Sequence, residues 1–272
     1  MRGSAEQQAL RAAETFRQEH RLGAQPLGDL VALIEQTTGH DVAVLDVGPD
    51  EHGLTMRDPA RGKVFIGVAR STHPMRQRSS LVHELAHVIF EDRWTDAAER
   101  SPEEIRADAF ARHLLIPAAG LEEFLGDARD ASEALLSDVV QRFLVSPAIA
   151  AIALRDAGRV SPETATEWMK LGTRQLATRY GWRDHYAALQ ADSQRLRAPQ
   201  GLLSRAIDAY EAGVLSAQAI ATLRGMRVET VLSELEEAGV IPRRLDEADF
   251  ELEELPDVDV DLRGLGDDGE RP

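Results

Sequence analysis

The chain has 272 residues, no cysteine and a formal net charge of −16, enough length for one large domain or two modest ones. The missing cysteines exclude a disulfide framework, thiolate metal ligands and a catalytic thiol, so any bound metal must be held by imidazole and carboxylate. An apolar content of 43% with only 5% aromatics favours a helix-dominated globular protein over a β-sandwich.

Residues 5–21 and 27–38 read as two helices, the second carrying an apolar stripe of Leu30, Val31, Leu33 and Ile34 and ending at Gly39. Residues 42–47 and 63–68 read as strands. Residues 54–56 form a weaker third, followed by a turn over 58–62. From about residue 74 the pattern is helical: 74–91, 102–115, 118–126, 131–144, 147–157, 162–179 and 182–196, with Pro199 and Gly201 at a seam. Val145–Gly158 and Met226–Gly239 share apolar spacing and an Ala-Gly end, 81 residues apart, each after another short helix. That is the outline of a helix-turn-helix, but a helical hairpin packed for stability has the same outline and is commoner. Neither segment carries the Arg, Lys, Asn or Gln cluster that reads base edges. Residues 246–272 hold twelve acids against Arg263 and Arg271, a net of −10 that leaves −6 for residues 1–245. This segment is expected to be a disordered acidic tail. The mildly acidic body disfavours direct nucleic-acid binding.

No apolar run approaches the roughly 18 residues of a membrane span, and no basic segment precedes a hydrophobic stretch at the N-terminus. The expectation is a cytoplasmic protein without a membrane partner.

The segment His83-Glu84-Leu85-Ala86-His87 falls within one of these helices. Positions i and i+4 share a helix face, so His83 and His87 can present imidazole nitrogens to one ion. Glu84, one step around, can act on a zinc-held water from outside the metal's immediate ligands. Zinc lowers the pKa of that water toward about 7, and a glutamate can accept its proton and pass it to a leaving amine. A tetrahedral site needs a third protein ligand, and Glu104 is the candidate. Ser101 and Glu104 also fit a capping box with Pro102 at the first helical position, and Glu103 is the adjacent alternative ligand. Asp108, four residues past Glu104, could accept a hydrogen bond from the outer nitrogen of a ligand histidine. His113 belongs on the opposite side of that helix and reads as a surface residue. His52 and His73 lie near loops, Arg76 and Arg78 read as solvated, and no role is assigned to His20, His40 or His185.

Two segments, Arg78–His87 (RSSLVHELAH) and Glu104–Pro117 (EIRADAFARHLLIP), resemble the ImmA/IrrE group of bacterial metallopeptidases. In that family the second segment carries the third ligand Glu four residues before an Asn, then Phe-Ala and a Leu-Leu-x-Pro ending. Asp108 departs from the usual Asn and resembles the Glu-x-x-x-Asp of thermolysin-like enzymes. Leu144-Val145-Ser146-Pro147 is similar to the start of the family's helical region. The resemblance covers roughly residues 10–160. Together with the element pattern it gives an expected α+β fold: a small N-terminal sheet packed on a zincin-like helical core, then, from the pattern of the residues beyond 160, an all-helical C-terminal region and the acidic tail. The corresponding expected divisions are 1–128, a helical region with a helix-turn-helix-like hairpin over 129–198, a helical hairpin module over 199–245, and 246–272.

The resemblance also implies a Zn2+ peptidase with a protein substrate. Typically this is a helix-turn-helix repressor, cleaved in stress response and transcription regulation. Its alternative is a non-catalytic zinc-containing regulator, or a toxin or antitoxin component, that acts by docking.

Overall fold

The computed structural model describes residues 2–48, 53–58, 62–92, 101–126 and 131–243. His52 and the expected acidic tail lie outside them. Helices α1 (Arg2–Glu19) and α2 (Leu30–Thr38) precede three strands, β1 (Asp41–Leu45), β2 (Gly53–Asp58) and β3 (Lys63–Ala69). The sheet order is β1-β3-β2, with β1 parallel and β2 antiparallel to β3. α3 (Pro74–Ile89) and α4 (Pro102–Leu115) follow. Next come α5 (Ala118–Leu125), α6 (Glu133–Phe143), α7 (Pro147–Asp156), α8 (Pro162–Trp168), α9 (Thr173–Arg179) and α10 (Arg183–Ser193). The C-terminal elements are α11 (Gln200–Glu211), α12 (Ala217–Arg224) and α13 (Val228–Glu237). The fold is α+β, as expected: a small sheet near the N-terminus followed by helices. Among the described residues no single helix is long and apolar enough to cross a membrane.

One expected helix is divided, while the other elements shift at their ends by a few residues. The continuous helix over 162–179 is two helices, α8 and α9, because Gly172 adopts extended backbone (φ −90°, ψ 140°) between them. That conformation cannot continue a helical turn.

One hydrophobic core runs from Ala9 to Tyr186, and a second, smaller cluster centres on Tyr210, Ile220, Val231 and Leu235. α3 lies on the sheet with Leu81, Val82, Leu85 and Ala86 buried, which leaves the opposite face of the helix to the histidines. α1 packs lengthwise on α4. The two segments of the internal echo contain α7 and α13, and in each case the preceding helix ends on a left-handed residue, Leu144 (φ 54°) or Gly225 (φ 61°). The helix-αL turn-helix outline is therefore present twice, although the second helices present different chemistry. α7 buries Ala150, Ala151 and Leu154 in the main core, whereas α13 carries Glu229, Glu234, Glu236 and Glu237.

Several arginines act inside the protein. Arg17 is 5% exposed and donates to Leu114 O, Gly23 O and Gln25 O, fastening α1 to the end of α4 and to the following loop. Arg78, expected to be solvated, is half-buried. Its guanidinium donates to Leu144 O (3.1 Å), Gly28 O (2.6 Å) and Leu27 O (2.6 Å), and burial draws its pKa down to about 10 although Asp29 opposes the shift. Loop carbonyls without helical or strand partners need donors, and this arginine supplies them.

Candidate metal centre

The N-terminal end of α3 is pinned by distant parts of the chain. Gln77 Nε2 donates to Ala69 O and to Ser193 O, Ser193 Oγ to Ser71 O, and Gln190 Nε2 to Thr72 O. At the other end Arg57, on β2, donates to Val88 O at 2.9 Å, satisfying a carbonyl in the last turn. His83 and His87 project from the helix between these anchors. α4 begins at Ser101, whose hydroxyl accepts from Glu104 N at 3.3 Å. Only half of a capping box forms, because the Glu104 carboxylate turns toward the histidines. Glu103 instead lies exposed beside Ser101 and is absent from the cluster. Its own backbone N–H and the Ser101 hydroxyl hold its carboxyl below the ordinary value of 4.5.

The three donor groups converge. His83 Nε2 lies 3.0 Å from Glu104 Oε2, His87 Nε2 3.4 Å from Glu104 Oε1, and the two Nε2 atoms are 3.1 Å apart. Metal–ligand bonds of about 2.0–2.1 Å in a tetrahedron place donor atoms roughly 3.3 Å from one another. The outer nitrogens face carboxylates: His83 Nδ1 is 2.9 Å from Asp108 Oδ1, and His87 Nδ1 is 3.0 Å from Asp92 Oδ2. With protons on both Nδ1 atoms, both Nε2 lone pairs point at each other and at a carboxylate. A cation among them relieves that repulsion. Burial alone would lower the His83 pKa, but the hydrogen bond and charge of Asp108, with the charges of Glu104 and Glu84, raise it above 6.5. His83, His87 and Glu104 thus form a group that could hold a metal ion, with donors that suit it.

Glu84 is set by the sheet. Thr55 Oγ1 donates to Glu84 Oε2 at 2.8 Å, and Gly53 approaches so closely that a Cβ there would come within 2.7 Å of Glu84 Cγ and Oε1. Gly53 and Thr55 share one face of β2 through the two-residue strand period. Arg76, Ser79, Ser80, Ile149 and Ile152 join these groups around an open cleft of about 650 Å³. His73 is the exposed residue just before α3 and makes no side-chain cap. His113 is on the far side of α4, as expected, but it docks on α1, with Nε2 2.7 Å from Glu6 Oε1, rather than facing solvent freely.

Asp92, Gly53 and Thr55 escaped the sequence reading. Asp92 follows the left-handed Glu91 (φ 54°), and its N–H bonds back to His87 O at 3.0 Å, a helix-ending turn that brings its carboxylate beneath the imidazole. The available signal was an acid just past the end of the motif helix. For Gly53 and Thr55 it was alternation along a strand.

Two histidines and a carboxylate from neighbouring helices, with a glutamate held beside them by a small sheet, have the layout of a metallopeptidase-like site. Residues 36–155 match the family model Peptidase_M78, described as an IrrE N-terminal-like domain, and this supports the ImmA/IrrE resemblance. The stretch includes His83, Glu84, His87, Glu104 and Asp108 and covers less than half of the 272-residue chain. No protein in the comparison with curated proteins matches the chain.

Proposed function

We propose that the protein is a zinc-dependent endopeptidase acting on a regulatory protein, such as a helix-turn-helix repressor. The observation that carries this reading is the convergence of His83, His87 and Glu104 within 3.4 Å of one another beside a separately fixed Glu84. His83 Nε2, His87 Nε2 and a Glu104 carboxylate oxygen would hold the metal, and Asp108 and Asp92 would keep the two imidazoles in the tautomer that leaves Nε2 free. Zinc held there would supply Lewis-acid chemistry, polarising a scissile carbonyl and lowering the pKa of a water toward about 7. Glu84 takes the proton from the attacking water on its carboxylate and delivers it to the amine that leaves. Thr55 orients that carboxylate through its hydroxyl, and Gly53 leaves it the space it occupies.

The sheet supports the same reading. Val44 on β1 pairs with Arg197, so one edge is covered, whereas the outer edge of β2 has no strand partner among the described residues. An extended substrate segment would add to that edge through main-chain hydrogen bonds, beside Gly53 and Glu84. The repressor identity of the substrate comes from the family resemblance.

The test combines metal analysis with cleavage. The parent should carry one zinc per chain, His83→Ala and Glu104→Ala should lose it, and Glu84→Gln should keep it while cutting no partner. A Glu84→Gln protein that cuts at the parent rate would rule out the chemistry, and one that retains full biological effect without cleavage would favour a docking regulator.

A further inference from the structure

The two histidines are anchored differently. The Asp108 side chain that meets His83 Nδ1 is 76% exposed, whereas the Asp92 side chain that meets His87 Nδ1 is only 11% exposed. A carboxylate that deep is costly unless a cation faces it, and Arg106 does so, donating from Nη2 to Asp92 Oδ1. Arg106 is itself fixed. Its guanidinium carbon stands 4.1 Å from the centre of the Phe90 ring, and Nη1 reaches Gln8 Oε1 on α1 at 3.4 Å. Its Nε is sealed from water with no hydrogen-bond partner among the described residues, and its charge-assisted bond goes to Asp92.

We propose that Arg106 is a positioning residue for the metal site: through Asp92 it locks the ring of His87, making His87 the seated ligand and His83 the adjustable one. The proposal rests on the metal-binding reading above. α4 then addresses every ligand, through Glu104 directly, His83 by way of Asp108, and His87 by way of Arg106 and Asp92. Without the guanidinium, the Asp92 carboxylate is an uncompensated buried charge that turns toward water, and His87 Nδ1–H loses the acceptor that aims Nε2. On the His83 side, water can replace Asp108, because that carboxylate is already largely solvated.

The experiment measures Zn2+ affinity by competition with a chromophoric chelator, and the visible spectrum of bound Co2+, on the full chain. The parent is compared with Arg106→Met, Arg106→Lys and Glu6→Gln. Glu6 bonds Arg112 and His113 across the same α1–α4 interface without touching the metal cluster. Arg106→Met should weaken Zn2+ binding roughly 10- to 100-fold and alter the Co2+ bands. Arg106→Lys, which keeps the charge without the planar fork, should recover part of the affinity. Glu6→Gln should bind Zn2+ as the parent does, even where its melting temperature falls. Parent affinity and spectrum in Arg106→Met would overturn the proposal, and so would an equal loss in Glu6→Gln, which marks a merely structural effect. A parent that binds no Zn2+ fails the metal-binding reading itself, and the proposal falls with it.

Discussion

On the proposed function, replacing Gly53 by alanine should separate catalysis from metal binding. The added Cβ would lie 2.7 Å from both Cγ and Oε1 of Glu84, against about 3.4 Å for an ordinary contact, so the glutamate must retreat by about 0.7 Å. That movement loosens the 2.8 Å hydrogen bond from Thr55 Oγ1 to the Glu84 carboxylate. A misplacement near 1 Å costs a catalytic group on the order of 100-fold, or about 2.7 kcal/mol of transition-state stabilisation. The candidate metal donors lie on α3 and α4, and the three atoms nearest the added Cβ all belong to Glu84. Gly53→Ala should therefore lose about 100-fold in kcat/KM against a peptide library, while its zinc stoichiometry and affinity match the parent's and its overpacking costs about 1–3 kcal/mol of stability. A variant that cleaves at the parent rate would refute the assigned place of Glu84. So would one that loses zinc along with activity.

Arg17→Met leaves Leu114 O, Gly23 O and Gln25 O without their donor, and denaturant unfolding should show a loss of roughly 2–4 kcal/mol. A loss below about 1 kcal/mol would mean that water replaces the guanidinium. For Glu6, burial pushes the pKa up, but the hydrogen bonds and charges of Arg112 and His113 outweigh it and hold the value below 4.5. The folded state then binds fewer protons than the unfolded state in that window. The Glu6 contribution is thus fully present above 4.5 and disappears as pH falls through the depressed folded value. Melting temperatures of Glu6→Gln should approach those of the parent as the pH drops through this range, and curves that stay parallel would show that the pair contributes nothing pH-dependent.

The parts of the site visible in the sequence are those governed by local periodicity. His83 and His87 are one helical turn apart, and Glu104 and Asp108 repeat that spacing on the next helix, so a single rule brought four residues to one place. The same rule says nothing about Asp92, which arrives through a left-handed turn after the helix has ended, nor about Thr55, which depends on how β2 lies against α3. Arg17 and Arg78 were hidden for a different reason. A cation on a helix is ordinarily solvated, and only the irregular loops that close over these two create carbonyls in need of donors. The break between α8 and α9 turns on the backbone of Gly172, which apolar spacing does not report.

The pins on α3 also order events during synthesis. The start of the motif helix rests on Gln190 and Ser193, more than a hundred residues downstream of the loop and helix they hold. On the ribosome, where chain grows from the N-terminus, the two histidines and Glu104 emerge long before that support exists. A nascent chain therefore exposes its candidate metal ligands while their scaffold is incomplete, and the site reaches its final geometry only after α10 has been made and docked. The stretch 36–155 that matches the family model contains neither α1 nor α10. Cut out alone, it would carry the ligands without two of the elements that hold them in place.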